Sequence, residues 1–335
     1  MKPLRYLAFS DKGAALAETL AQVLGGEASR CGERETLADW TRLAFSQARG
    51  LIFVGAAGIA VRAIAPWVRS KTEDPAVVVV DECGHFAVPI LSGHLGGAND
   101  LARRIGAACG AIPVLTTATD ANNVFAVDEW AKRQNCRVLN PGAIKRVSSN
   151  LLAGKTVRVY SPWPIGGDPP QHVEQTGDAE RYDVRVDVCG GSRTALCLAP
   201  RILALGIGCR KGVEQAALEK AFHELLAASG VQAGAVFAAA SIDLKKNEPG
   251  LLAFCESHGW PCRFYTAGQL EEARGDFTAS AFVQSVTGVD NVCERSAVLA
   301  SGGSLYWKKR AGNGVTMALG ISPYAPTWRW QDNGE

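Results

Sequence analysis

What this chain lacks narrows its class before any motif is read. Its 35 Lys and Arg residues nearly balance 33 Asp and Glu, a formal net charge of +2, so the strong positive field of a dedicated nucleic-acid binder is missing. Recognition of anions must come from local basic groups. No apolar run reaches the length of a membrane span, and the opening Met1–Ser10 is too quickly interrupted by Asp11 and Lys12 to read as a signal peptide. A cytoplasmic protein with neither membrane nor nucleic acid as partner is expected. The ten cysteines include no C-x-x-C pair, so they read as small hydrophobes in a reducing compartment and not as a disulfide framework. Cys83-Gly84-His85 and Cys255-Glu256-Ser257-His258 each supply only a fragment of a zinc site, and no protein-held metal is expected. A P-loop and a complete G-x-G-x-x-G fingerprint are both missing, which argues against a nucleotide or sugar-phosphate enzyme.

What is there is a long, moderately apolar chain. With 335 residues, 47% hydrophobic and 20% charged, it can bury more than one core. Short apolar strands alternate with helical patterns, the mark of α/β units with parallel strands. Leu4–Phe9 reads as a strand, Ala14–Leu24 as a helix and Leu51–Val54 as a strand. A helix with Val61, Ile64, Ala65 and Val68 on one face follows. Ala76–Val80 is an unbroken apolar run that implies burial on both faces. Phe86–Leu91 reads as its hairpin partner across a turn at Glu82–His85, and Ile112–Leu115 as a further strand. Between about 136 and 200 the pattern loosens around Asn140-Pro141-Gly142 and Ser161–Pro170, with short strands near Val157–Tyr160, Val184–Val188 and Ala195–Leu198. From Ile202 the alternation returns: strands at Ile202–Ile207, Ala235–Ala240, Pro261–Tyr265 and Val315–Leu319, a helical stripe of Leu218, Ala221, Phe222 and Leu225, and a helix opened by Pro249. The expectation is two α/β domains with mainly parallel sheets, residues 1–135 and 201–322, joined by a small middle module at 136–200 and followed by a tail at 323–335.

The most informative stretch is Leu91-Ser92-Gly93-His94-Leu95-Gly96-Gly97-Ala98-Asn99-Asp100. The helix after it places Ala98, Leu101, Ala102, Ile105 and Ala108 on one face. Gly96 and Gly97 let backbone approach a ligand, and open N–H groups at the helix start favour an oxyanion or carboxylate beside His94. The same residues also read as a tight turn with His94 a satisfied polar residue at its rim. The loop Thr116-Thr117-Ala118-Thr119-Asp120 lies at the carboxyl end of a strand, where open α/β sheets place their sites. Asp120 there is either a general base or a turn-former.

Further along, Gly206-Ile207-Gly208-Cys209-Arg210-Lys211 puts a thiol and two cations at a strand-to-helix turn. N–H groups and positive charge there suit a carboxylate clamp and would lower a thiol pKa; a tight turn with solvated cations is the other reading. Ser241, Asp243, Lys245 and Glu248 cluster after a strand, and Asn291 with Glu294 precedes Ala297–Ala300; each group reads either as chemistry or as capping, Asn291 as an N-cap with Glu294 at the N3 position of a capping box.

The run Gly58-Ile59-Ala60-Val61-Arg62 through Pro75–Asp81, then Leu91–Asn99 and Thr116–Asp120, resembles the N-terminal part of the CbiG family of anaerobic cobalamin biosynthesis. Gly206–Gly212, Ser241–Lys245 with Glu248–Leu251, and Gly288-Val289 followed by Asn291–Glu294 resemble the family's CobE-like C-terminal domain. The resemblance implies a cobalt-precorrin-5A hydrolase, which opens a δ-lactone on a ring-contracted cobalt tetrapyrrole and releases acetaldehyde to give cobalt-precorrin-5B. Cobalt then arrives with the substrate and the protein holds no cofactor. The alternative is a non-catalytic carrier of tetrapyrrole intermediates in the same pathway. Transient contact with neighbouring pathway enzymes fits either reading, and the oligomeric state stays open between a monomer and a homodimer.

From residue chemistry, His94, Asp120 and Ser92 are the catalytic candidates, supplying a base for water and donors for a tetrahedral oxyanion. A many-armed carboxylate substrate calls for several anion clamps. The binding candidates are Gly58, Arg62, Gly96, Gly97, Asn99, Thr116, Thr117, Gly208, Cys209, Arg210, Lys211, Ser241, Asp243 and Lys245.

Overall fold

A computed structural model of the chain describes residues 2–330 apart from 34, 71–72, 94–95, 117–121, 123 and 192–193. It divides into two compact units, Met1–Glu129 and Trp130–Glu335.

The first unit runs β1 (Leu4–Ala8), α1 (Asp11–Leu24), β2 (Glu27–Arg30), α2 (Leu37–Gln47), β3 (Gly50–Val54), α3 (Ala57–Ile64), β4 (Ala76–Val80), β5 (Phe86–Leu91), α4 (Ala98–Cys109) and β6 (Ile112–Pro113). Its sheet has the order β2-β1-β3-β4-β5-β6. Neighbours are parallel except β4 and β5, which form the expected hairpin. Strand alternation sorts the core into two layers. Tyr6, Ala8, Ile52, Val54, Val78 and Val80 face α1 and α4. Leu7, Leu51, Phe53, Val77 and Val79 face α2 and α3. All five residues of β4 are buried, as a central strand in a doubly covered sheet requires. Helix α1 starts where Ser10 Oγ accepts the Gly13 N–H at 3.1 Å.

One helical face departs from expectation. In α3 the buried residues are Ala60 and Ile64, whereas Val61 and Val68 are 50% and 45% exposed. The helix stops ahead of a single 3-10 turn at Ala65–Trp67, because Pro66 cannot continue the backbone hydrogen bonding, so Val68 never joins the helical stripe. The strand expected at Ile112–Leu115 is confined to Ile112–Pro113.

The second unit contains two sheets among the described residues. The first comprises β7 (Cys136–Val138), β8 (Val157–Tyr160), β9 (Val173–Thr176), β10 (Val184–Val186) and β11 (Leu196–Pro200) in the order β7-β11-β10-β8-β9, with helix α5 (Ile144–Leu152). The short strands expected here belong to a five-stranded sheet. Strands β7 and β9 escaped the sequence because each is short and half polar.

The other sheet is built from β12 (Leu203–Cys209), α6 (Gln215–Ser229), β13 (Val236–Ile242), α7 (Pro249–Ser257), β14 (Cys262–Tyr265), α8 (Ala267–Glu271), α9 (Ala281–Thr287), α10 (Cys293–Ser301), β15 (Ser304–Gly312) and β16 (Val315–Ile321). Its order is β14-β13-β12-β16-β15, with β12 parallel to β13 and antiparallel to β16. The edge strand β15 was hidden by its run of Lys308, Lys309 and Arg310, which reads as a solvated face. One face packs Leu218, Phe222 and Leu225 of α6 and Leu251 and Phe254 of α7 into a large core.

On the other face α10 lies unusually close. A Cβ on Gly206 would fall 1.8 Å from the Cys293 carbonyl oxygen, so only glycine permits this contact. Alanines 204, 240, 297, 300 and 318 line the same layer.

Among the described residues no helix is long and apolar enough to cross a membrane. All ten cysteines are free thiols. Cys197, Cys255 and Cys293 are buried and Cys83 is exposed, so they are not uniformly the small core residues expected.

Candidate functional site

In the first unit the glycine-bracketed stretch joins β5 to α4. Ser92 adopts φ 56°, a left-handed backbone that serine rarely takes. It is 8% exposed, and its hydroxyl has no hydrogen-bond partner among the described residues. A buried hydroxyl without a partner costs about 1–3 kcal/mol, and strain together with an unmet hydroxyl is a recurrent sign of a functional position. Gly96 is forced by this turn: a Cβ there would lie 2.3 Å from the Ser92 Cβ. Gly97, at φ 85°, precedes α4 directly.

The open row of N–H groups expected at this helix start is not open. The N–H of Ala98 donates to the Ser92 carbonyl at 3.1 Å and that of Asn99 to the Gly93 carbonyl at 2.9 Å. Asp100 occupies the first turn with its own negative charge, where it already complements the helix dipole. The turn closes on itself, and Ser92 is the group it leaves unspent. His94, Thr117 and Asp120 lie outside the described residues. Asn99 is buried at 2% exposure, and Thr116 is exposed just beyond β6. Because β5 and β6 are parallel, their carboxyl ends share one sheet edge. Gly58 does not share it: α3 opens at the carboxyl end of β3, and β3 runs parallel to β4 and therefore opposite to β5. Arg62 is exposed on α3.

In the second unit the carboxyl ends of β12 and β13 open into a cavity of about 850 Å³. Six of the expected binding residues, Gly208, Cys209, Arg210, Lys211, Ser241 and Lys245, line it together. The strand continues through Cys209 and the helix begins only at Gln215, so this is a strand end with a loop and not the tight strand-to-helix turn expected. The backbone N–H of Arg210 donates to the Gly314 carbonyl at 3.0 Å, and that of Gly212 to Glu248 Oε1 at 2.8 Å. The cations do not behave alike. Lys245 pairs with buried Glu248 at 3.3 Å, and Lys309 donates to the Thr278 carbonyl at 2.7 Å. The side chains of Arg210 and Lys211 have no hydrogen-bond or ion-pair partner among the described residues and are exposed.

Three other expectations change here. Burial pushes the Cys209 thiol up to about 11, against the opposing pull of Lys245; the lowered thiol expected at this turn is not found, and Cys209 is a protonated wall residue at neutral pH. Ser241 is fully buried and donates to the Ile207 carbonyl at 2.7 Å, tying β13 to β12. Asp243 is half-buried in a single 3-10 turn and does not reach the cavity wall. The capping reading of Asn291 and Glu294 is half met: Asn291 Oδ1 accepts the Glu294 N–H at 2.9 Å, but α10 is capped at Val292, and the return bond to Glu294 comes from the Asn291 side-chain amide at 2.7 Å, so no capping box forms. Glu294 does more, accepting from the N–H groups of Thr278 and Lys309, each at 2.7 Å.

The sequence did not reveal the apolar wall of this cavity. Phe282, Val283 and Val286 of α9 line it, and Phe282 and Val286 stay 77% and 62% exposed. The signal was present as apolar residues at i, i+1 and i+4 directly after the cap Ser280. A hollow with an apolar wall and two cations that have no partner among the described residues suits a partly apolar molecule bearing carboxylates.

Comparison with known proteins places these features. Residues 39–120 match the family described as cobalamin synthesis G N-terminal, 125–205 the cobalamin biosynthesis central region, and 203–320 the cobalamin synthesis G C-terminus. The cobalt-precorrin-5A hydrolase of Salmonella typhimurium is 36% identical over 301 residues, 85% of each chain. The chain belongs to the CbiG family. A cobalt-precorrin-5A hydrolase of Priestia megaterium is 30% identical over 84% of this chain and 80% of its own. The protein CobE of Sinorhizobium sp. is 33% identical over 101 residues, 30% of this chain and 66% of its own. The CbiG C-terminal match spans the whole cavity-bearing sheet except part of its last strand.

Proposed function

We propose that the chain is a cobalt-precorrin-5A hydrolase, opening the δ-lactone of the ring-contracted cobalt tetrapyrrole and releasing its methylated meso carbon as acetaldehyde to give cobalt-precorrin-5B. The observation that carries this reading is the 36% identity, over 85% of both chains, to the Salmonella enzyme of that name. Water adds to the lactone carbonyl, and the ring oxygen leaves as an alcohol once the tetrahedral oxyanion collapses. Loss of the alcohol proton then turns that carbon–oxygen bond into an aldehyde while the adjacent carbon–carbon electrons pass to the conjugated macrocycle, which takes up a proton. One water is consumed and one acetaldehyde released. The protein supplies proton transfers and orientation.

In this reading the first unit's candidates for the chemistry are Ser92, as an oxyanion donor, and His94 or Asp120, as the base for water, and the second unit's part is described by its own cavity. Arg210 and Lys211 bind ring carboxylates as charge-assisted pairs, while Phe282, Val283 and Val286 offer an apolar face to the macrocycle. The protonated Cys209 thiol serves as wall and not as nucleophile. Cobalt enters as part of the substrate.

The test is to incubate the purified protein with the cobalt-bound lactone, with the metal-free analogue alongside, and to measure acetaldehyde. One acetaldehyde per lactone opened supports the hydrolase. Tight binding of the lactone with no acetaldehyde would overturn it in favour of a carrier.

A further inference from the structure

We propose that the turn between β4 and β5 is a binding site for a borderline divalent cation of the Zn²⁺ or Co²⁺ type, held by a carboxylate oxygen of Asp81, the sulfur of Cys83 and a ring nitrogen of His85. The sequence offered Cys83-Gly84-His85 as only a fragment of such a site. Folding adds the missing ligand: the donor atoms of Asp81, Cys83 and His85 all lie within 4.8 Å of one another.

The backbone fixes this arrangement. Asp81 stands at the end of β4, and its carbonyl accepts the Gly84 N–H at 2.9 Å, closing the turn. Its carboxylate ties down the same turn, Oδ1 accepting from the Cys83 N–H at 2.9 Å and Oδ2 from the Phe86 N–H at 2.7 Å. Each oxygen keeps a lone pair for a further partner. The three ligands are not spent on one another: His85 Nδ1 stands 3.7 Å from Asp81 Oδ1, too far for a hydrogen bond. The alternate D-x-C-x-H spacing of the turn brings the three side chains to one place.

A competing cation already stands against one of the ligands. Lys12 on the first turn of α1 places its ammonium 3.0 Å from the Cys83 sulfur, so a positive charge already sits against the thiol. Lys12 is exposed and swings away at little cost. Thiolate, imidazole and carboxylate together select Zn²⁺ or Co²⁺ over Mg²⁺ or Ca²⁺, and three protein ligands leave room for water to complete the coordination. Cys83 and His85 are exposed, so the ion reaches them directly from solvent. The second fragment, around Cys255 and His258, is different. His258 Nε2 is held by Glu219 at 3.0 Å, and its ring stacks on Trp260 at 4.3 Å, so that histidine is committed to the fold.

The experiment uses the whole chain, stripped with a chelator and kept reduced with a phosphine, and titrates it with Co²⁺. The expected result is one equivalent bound, with thiolate-to-cobalt charge-transfer absorption in the near ultraviolet that Zn²⁺ abolishes by displacement. Cys83→Ser removes that absorption. His85→Gln weakens binding about tenfold or more, and Lys12→Ala strengthens it by removing the competing ammonium. Zn²⁺ also shields Cys83, located by peptide mapping, from alkylation. Both ligand substitutions are at exposed positions, so an unchanged far-ultraviolet circular dichroism spectrum confirms that the variants fold. Charge-transfer absorption that survives in Cys83→Ser, no such absorption in the unaltered chain, or alkylation of Cys83 at the same rate with and without Zn²⁺ would each overturn the proposal. None of these readouts depends on lactone hydrolysis, so this proposal and the hydrolase reading fail separately.

Discussion

At the end of β5 the first turn of α4 binds its own chain, with the Ala98 and Asn99 N–H groups held by the Ser92 and Gly93 carbonyls. At the end of β12 the side chains of Arg210 and Lys211 stand at a cavity of about 850 Å³ with no protein partner among the described residues. In sequence the two motifs look alike, each a strand running into glycines and polar residues. In structure they solve opposite problems. The first uses glycine to make room for a strained serine and leaves a single hydroxyl unmet. The second uses Gly206 to seat α10 against the strand, and at the strand's end leaves positive charge unpaired. A glycine-rich strand end therefore reports close packing before it reports a ligand, and the groups left without partners are what separate the two roles.

The largest expected effect tests the packing half of that contrast. Gly206→Ala pushes a methyl into the Cys293 carbonyl, and denaturant unfolding is expected to show a loss of about 3 kcal/mol. Stability unchanged within error would mean that α10 sits less tightly than described.

A second prediction uses the buried thiol beside this seam. Burial pushes Cys293 up to about 11 from the usual 9. Its folded value is the higher one, so the stabilisation is complete below pH 9 and is lost as pH rises from 9 through about 11. Denaturant unfolding at pH 8 and at pH 10.5, under a reductant, is expected to show a loss about 2 kcal/mol larger than that of Cys293→Ala measured against its own pH 8 value, since other raised thiols such as Cys209 contribute equally to both. An identical pH dependence in the variant contradicts this.

Ser92→Ala sharpens the comparison from the other side. Removing a buried hydroxyl that has no partner among the described residues is expected to stabilise the chain by about 1 kcal/mol, while lowering kcat for acetaldehyde release by about a hundredfold, as loss of an oxyanion donor does. A stabilised variant with full activity would reduce Ser92 to a packing residue. The smallest effect is expected at Cys209→Ser. Its thiol is protonated at neutral pH, so kcat is expected to hold within about threefold, and a loss of activity would contradict its role as a wall.

Much of the architecture was legible in the sequence because it rests on runs and periods that burial enforces. The five residues of β4 announce a strand covered on both faces. The stripe Leu218, Phe222, Leu225 announces α6. Where the fold depended on local chemistry the pattern misled: Pro66 stopped α3 and left Val61 and Val68 in solvent, and the cations of β15 concealed a strand. The candidate site was half legible. Six residues of the cavity were anticipated because strand ends gather polar groups. Pairing was not, since nothing in the spacing says that Lys245 is held by Glu248 while Lys211 has no partner among the described residues. Nor did a three-residue turn motif show that Asp81 would complete a ligand set.

The central claim is that the unpaired cations of the cavity hold the substrate's carboxylates. It is tested most directly by the steady-state kinetics of acetaldehyde release in the double variant Arg210→Ala, Lys211→Ala. Two lost charge-assisted contacts are expected to raise KM about a hundredfold, with kcat kept within about threefold and the loss of affinity shrinking at high salt. A KM equal to that of the unaltered chain would contradict the account.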